Sequence, residues 1–288
     1  FKNVKFNDKG ISLSGDSLID FLDGQDSAIV ALEVINDDIL SALPQLKVIG
    51  KYGVGLDKLD FCALEKHDVR VGWTPGVNAL AVAELALNLA LTIVRKTLIS
   101  NQVAKDQKWD QVVGRQLSSL TIGILGCGYV GTAFLRLLKG FDCKILICDT
   151  LEKSQVCKEF GVEQVPFDHL VKNVDLLSIH LPKNMDTLKI LDSTAINKMK
   201  PNSFLINTAR GGLVDELALY NALEKGHLSG VALDVLEQEP PQFFELINHP
   251  NCIITSHIGG SSEEAIVSMG MAAINGLDNH QTASLFEI

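Results

Sequence analysis

Apolar residues in this chain come in short runs bounded by turn residues, alternating with stretches where they recur at helical spacing. Over residues 1–77 the runs predict strands at 4–6, 28–32, 46–50 and 69–72, with helices at 17–22 and near 37–43. Apolar residues then crowd a stretch beginning at Ala79, which predicts a long helix reaching about residue 99, with Asn78 placed to cap it. Further on, apolar runs at 121–125, 144–148, 175–179, 203–207, 231–235 and 253–256 read as strands. Helical patterns at 130–138, 167–172, 194–199 and 215–225 separate most of them, and an amphipathic helix is expected at 262–274. Regular alternation of this kind implies a doubly wound parallel α/β sheet, preceded by a smaller α/β unit.

The stretch around which the chain is organised follows the run Thr121–Leu125. There Gly126-Cys127-Gly128-Tyr129-Val130-Gly131 opens a helix, and the next apolar run ends in Asp149, eighteen residues past Gly131. The order strand, Gly-rich turn, helix, strand, acid fits a dinucleotide. Gly126 allows the tight turn, Gly128 lets backbone approach a pyrophosphate, and Gly131 lets helix and strand pack closely. The helix N-terminus presents N–H groups and the positive dipole end to phosphates. Asp149 suits ribose hydroxyls and opposes a 2′-phosphate, and no Arg follows in Thr150-Leu151-Glu152, so NAD is expected over NADP.

Composition narrows the partners. A net charge of −10 and a pI near 5.1 argue against nucleic acid or an anionic membrane. The six cysteines (Cys62, Cys127, Cys143, Cys148, Cys157, Cys252) lack metal-ligand spacing and read as reduced core residues of a cytoplasmic protein, so no metal is expected. Leu80, Leu85, Leu87, Leu89 and Leu91 spread around a 3.6-residue helix, more faces than one core covers, which predicts a homodimer. The chain begins at Phe1 rather than Met, so residues before it are expected.

In a doubly wound sheet ligands bind beyond the carboxyl ends of the strands. Three side chains there carry chemistry. Arg210 offers a planar fork for a carboxylate or 2-keto acid. His257 can exchange a proton near neutral pH. Glu239 can hold His257 in one tautomer and favour its charged form. Each has an ordinary alternative: a surface ion pair, a structural histidine, a solvated loop acid.

Three runs resemble motifs of the D-isomer-specific 2-hydroxyacid dehydrogenases: Asn207 to Glu216 with its Arg, Ala232 to Pro241 with its Glu, and Ser256-His257-Ile258-Gly259-Gly260 with its His. The resemblance covers essentially the whole chain. It implies a Rossmann NAD-binding domain over 78–260 and a flavodoxin-like substrate domain split between 1–77 and 261–288. It further implies hydride transfer between nicotinamide and a small anionic 2-keto or 2-hydroxy acid. Arg210, Glu239 and His257 would then be catalytic. His180, Pro182, Thr187, Thr208, Ala209, Asp234 and Gly259, with the Gly-rich turn, Asp149 and His257, would line the cofactor. Lys51, Tyr52, Gly53, Val54 and Gly55 would receive the substrate carboxylate with Arg210.

The run Lys51 to Asp60 looks most like the phosphoglycerate dehydrogenase branch, which makes 3-phosphoglycerate a candidate substrate. Against that, Lys58 replaces a common Asn, Ser256 stands where Pro is common, and Glu33 stands where that branch often carries a base for the phosphate. The family also usually opens with one more strand and helix. Glu239, where formate dehydrogenases carry Gln, disfavours that relative. The alternative from another class is an NAD(H)-binding corepressor with little turnover, because such proteins keep the same three residues.

Overall fold

A computed structural model describes residues 3–286. The chain divides after Asn78 and after Ser262 into two compact units, the first built from both ends of the chain and the second from Ala79–Ser262.

The first unit runs α1 (Asp16–Leu22), β1 (Ser27–Val30), α2 (Asp37–Ala42), β2 (Val48–Lys51), α3 (Phe61–Lys66) and β3 (Arg70–Gly72). Its three strands are parallel, in the order β1-β2-β3. Asn36 and Asp60 start α2 and α3 by accepting hydrogen bonds from Ile39 N and Ala63 N, the capping use of such residues. Leu18, Val30, Ile35, Leu40, Ile49 and Leu64 bury themselves as its core. No strand forms at 4–6, where Val4 and Phe6 lie 55% and 71% exposed. Alternating apolar residues make a strand only where a neighbour supplies ladder bonds, and this segment has none.

The second unit runs α4 (Ala79–Val94), α5 (Thr97–Lys105), β4 (Thr121–Leu125), α6 (Tyr129–Leu138), β5 (Lys144–Cys148), α7 (Ser154–Phe160), β6 (Glu163–Gln164) and α8 (Phe167–Asn173). It continues with β7 (Leu176–Ile179), α9 (Ser193–Lys198), β8 (Ser203–Asn207), α10 (Glu216–Glu224), β9 (Leu228–Leu233), α11 (Phe244–Ile247) and β10 (Cys252–Ile254). The chain then returns to the first unit as α12 (Glu263–Gly276). The seven strands are all parallel, in the order β10-β9-β8-β7-β4-β5-β6, with order reversing at β4. One face packs on α4 and α6 through residues such as Ala86, Ala90, Phe134 and Ile206. The other packs on α8, α9 and α10 through Leu170, Ile196, Leu205 and Leu219. Burial on both faces is why β7 and β8 are apolar without alternation.

The long helix expected from Ala79 is two. Lys96 takes a left-handed φ of 52°, and α5 starts anew at Thr97. Val94 O, which a continuing helix would use, instead accepts Arg115 N at 2.8 Å. The Asn78 cap is also not made: its Oδ1 is buried without a hydrogen-bond partner among the described residues. The leucines of α4 are largely covered within the unit. Leu89 is buried, Leu85, Leu87 and Leu91 pack against the unit's own core, and only Leu80 is mostly exposed, at 57%. Further along, Leu98, Trp109 and Val113 are among the exposed apolar side chains of this unit.

Candidate active site

The turn after β4 is shaped by its glycines. Gly126 holds a φ of 91°, and a side chain there would meet His180 O. A Cβ on Gly131 would stand 2.1 Å from Gly126 O, so only hydrogen lets α6 lie against the turn. Around Gly128 the space a Cβ would fill is open, with nothing within 4 Å. Gly128 also serves as N-cap without any side-chain cap, and the Gly128, Tyr129 and Val130 N–H groups have no acceptor among the described residues. An uncapped helix end beside open space is where a phosphate fits. The residues present therefore suit a dinucleotide.

Asp149 closes the same turn. Its Oδ2 accepts Cys127 N at 2.7 Å and Oδ1 accepts Leu151 N at 2.9 Å. Lys153 Nζ, just past Thr150-Leu151-Glu152, lies 3.5 Å from the carboxylate and puts a cation there. Two oxygens with both partners and spare lone pairs remain suited to hydroxyl donors.

His180 follows β7. Its Nε2 meets Ser178 Oγ at 2.9 Å, its ring packs 5.3 Å from Phe134, and Nδ1 is buried without a partner among the described residues. Burial pushes its pKa down to about 3, so the ring is neutral. The residue as a whole is half-buried, but the ring faces the sheet, and what it offers the turn is backbone. Next in the chain, Thr187 Oγ1 donates to Pro182 O at 2.7 Å and folds the 182–187 loop on itself.

Beyond β8, Asn207 braces the following turn, accepting Ala209 N and donating to Arg210 O. Thr208 is buried with Oγ1 unpartnered among the described residues, and Arg210 Nη1 donates to Ala209 O at 2.7 Å. Strand β9 ends at Leu233, one residue short of Asp234. Asp234 is 2% exposed and acts as a clamp: Oδ1 accepts Thr255 Oγ1 (2.6 Å) and Ile258 N (2.8 Å), and Oδ2 accepts Gly259 N (2.8 Å). Its backbone O accepts His257 N. Held this way, His257 adopts a left-handed φ of 56°, a conformation that persists only where surroundings enforce it. The outcome is a close side-chain pair: His257 Nδ1 lies 2.7 Å from Glu239 Oε2, with both side chains about 40% exposed (42% and 39%). A carboxylate can only accept, so Nδ1 donates and Nε2 is left for other work. Glu239 Oε1 accepts Leu236 N at 3.1 Å.

In the first unit, buried Lys51 ends β2, and its Nζ donates to Ala31 O (2.5 Å) and Tyr52 O (2.7 Å). Gly53 turns at φ 86°, and the Gly53, Val54 and Gly55 N–H groups have no acceptor among the described residues. Glu33 Oε2 accepts Ala31 N at 2.7 Å, which places a carboxylate at the end of β1. Among the described residues no group of His, Cys, Asp and Glu could hold a metal ion, and no helix is long and apolar enough to cross a membrane.

Residues 87–259 match the family model described as D-isomer specific 2-hydroxyacid dehydrogenase, NAD binding domain. A D-3-phosphoglycerate dehydrogenase of Bacillus subtilis is 34% identical over 233 residues, covering 80% of this chain and 44% of that protein. A glyoxylate reductase of Thermococcus litoralis is 34% identical over 249 residues, covering 83% of this chain and 75% of that protein. The crystal structure of a D-lactate dehydrogenase from Aquifex aeolicus, complexed with NAD and lactic acid, superposes with a TM-score of 0.83 at 28% identity, covering 89% of this chain and 84% of that one. The chain spans about half the length of the phosphoglycerate dehydrogenases it matches (44% and 49%).

Proposed function

The chain belongs to the D-isomer-specific 2-hydroxyacid dehydrogenases, and from that membership we propose that it interconverts a small 2-keto acid and its D-2-hydroxy acid with NAD. The observation that carries the reading is the His257–Glu239 pair, held at the carboxyl edge of a sheet whose Gly-rich turn suits a dinucleotide. NAD, when bound at that turn, supplies or takes the hydride.

The chain's own residues do the rest. Arg210 holds the substrate's carboxylate and carbonyl through its fork, which fixes orientation and stabilises developing negative charge. In reduction His257 gives its Nε2 proton to the carbonyl oxygen, and in oxidation neutral Nε2 takes the hydroxyl proton back. Glu239 keeps the other nitrogen protonated, so Nε2 is always the exchanging atom. The open N–H groups of Gly53, Val54 and Gly55 are proposed to take the substrate carboxylate, with Lys51 fixing the Tyr52 carbonyl. Asp234 acts by shaping the 255–259 loop around His257. Pro182, Thr187, Thr208, Ala209 and Gly259 are proposed as the cofactor's further contacts.

A 3-phosphate group would be opposed by the Glu33 carboxylate at the end of β1, so a small unphosphorylated acid such as glyoxylate is favoured over 3-phosphoglycerate. The protein is proposed to be a homodimer through Leu98, Trp109 and Val113, and a monomer mass by light scattering would refute that. Loss of NADH absorbance with glyoxylate, hydroxypyruvate, phosphohydroxypyruvate and pyruvate tests the activity. Turnover with at least one, abolished in His257→Ala, is expected. NADH binding without turnover on any of them would favour the corepressor reading.

A further inference from the structure

The backbone around Leu236 is fixed from three sides. Leu236 N donates to Glu239 Oε1 at 3.1 Å. Leu236 O lies where a Cβ on Gly211 would stand, so the turn carrying Arg210 packs backbone against backbone on this peptide. Glu237 N donates to Glu216 Oε1 at 2.5 Å. Glu216 opens α10, twenty-one residues away in sequence, and its bond to this backbone runs to Glu237 N, not to Glu239 or His257. Nearby, Lys189 Nζ ties Asp215 (3.6 Å) to the Glu237 side chain (3.4 Å). Burial pushes the Glu216 carboxyl up from its usual range, partly offset by the bond from Glu237 N, so the fold places an acid at a cost where a neutral residue would pack more easily.

We infer that Glu216 is a positioning residue for the proton-transfer pair: through the 236–237 peptide it orients Glu239, and through Glu239 it sets the tautomer of His257. The inference rests on the Glu239–His257 pair proposed above. Each bond in the chain has a separate task. Glu216 anchors the 236–237 peptide, that anchor holds Leu236 where its own N–H, in the preceding peptide, meets Glu239 Oε1, and Glu239 Oε2 is left facing His257 Nδ1. Without Glu216 this backbone loses one of its three anchors, and Glu239 loses its fixed orientation before it loses its charge. Because Gly211 shares this wall, the same peptide also sets the spacing of the Arg210 turn from the Glu239 turn.

The test compares Glu216→Ala, which deletes the acceptor, Glu216→Asp, which keeps the charge but not the reach, and Glu216→Gln, which keeps an oxygen at the same reach. Folding is checked by circular dichroism, and Glu216→Asp carries the test if Glu216→Ala fails to fold. The readouts are steady-state kinetics and the ¹⁵N imidazole resonances of His257 in the protein without NAD, in alkaline buffer. Glu216→Ala and Glu216→Asp should lose roughly tenfold in kcat, less than the roughly hundredfold an ångström of misplacement can cost at reacting groups. KM for NADH should stay unchanged, and His257 should move from the Nδ1–H tautomer toward a mixture. Glu216→Gln should restore both. Wild-type kcat and resonances in folded Glu216→Asp, or equal loss in Glu216→Gln, would overturn the inference. Glu239→Ala, which removes the acceptor, separates it from its premise: if that change leaves the His257 tautomer untouched, the pair itself is wrong and the positioning role falls with it.

Discussion

Lowering the pH should unfold this protein partly through one residue, His180. Its ring is buried beneath the Gly-rich turn against Phe134, Nδ1 has no partner among the described residues, and burial pushes its pKa from the usual 6.5 down to about 3. A histidine whose folded pKa is depressed contributes stability that is present above about pH 6.5 and is lost as pH falls toward 3, because the unfolded state then binds the proton more readily. Between pH 7 and pH 5 the unfolded state takes up nearly a full proton that the folded state refuses, which costs about 2 kcal/mol at 1.36 kcal/mol per pH unit. His180→Asn is polar and cannot titrate. It leaves a smaller side chain against Phe134, so it should be less stable than wild type at pH 7, but that offset is common to both pH values. Urea unfolding followed by far-UV circular dichroism at pH 7 and pH 5 gives the comparison directly. Wild type should lose about 2 kcal/mol more than His180→Asn over that interval. Equal losses would show that His180 titrates alike in both states and that its ring is not buried as described.

Two alanine substitutions separate folding from cofactor binding: Gly131→Ala drives a Cβ into Gly126 O and should destabilise by about 1–3 kcal/mol, whereas Gly128→Ala meets open space. Gly128→Ala should therefore keep its melting temperature while losing roughly tenfold or more in NADH affinity by fluorescence titration, or about 1.4 kcal/mol or more. Asp149→Ala leaves Lys153 without its partner and should narrow the ratio of NADH to NADPH affinity, and an unchanged ratio would remove Asp149 from cofactor choice. His257→Ala should lose about 10²–10⁴-fold in kcat with NADH affinity nearly intact, and Arg210→Lys should lower kcat and raise KM for the keto acid because the charge survives and the fork does not.

The parts of the fold that could be read from sequence are those the core demands. Strands β4, β5 and β8 are buried on both faces, so each stands out as an unbroken apolar run. Helices α5 and α7 bury no residue and so leave no stripe to read. Strand β6 is two polar residues, Glu163 and Gln164, paired to β5 by backbone alone. The site divides along the same line. The glycine spacing announced the turn because backbone geometry dictates it. Arg210, Glu239 and His257 were ambiguous singly and became legible only through the resemblance of their flanking runs. The resemblance puts Asp234 in the cofactor cleft; its bonds to Thr255, Ile258 and Gly259 span up to twenty-five residues, and no local pattern encodes them. The bond from Glu237 N to Glu216 was invisible for the same reason. The Lys153–Asp149 pair, by contrast, is local: its i,i+4 spacing is visible in the sequence one residue past Glu152.

The central claim is that this chain moves a hydride between NAD and C2 of a small acid while His257 moves the proton. It is tested most directly by incubating the protein with glyoxylate or hydroxypyruvate and NADH deuterated at nicotinamide C4, each C4 position in turn, and examining the product by mass spectrometry and chiral chromatography. A 2-hydroxy acid one mass unit heavier is expected from one of the two labelled cofactors, with D configuration when the keto acid is hydroxypyruvate, and none from His257→Ala. Product carrying no deuterium from either cofactor, or an L-hydroxy acid, would contradict it.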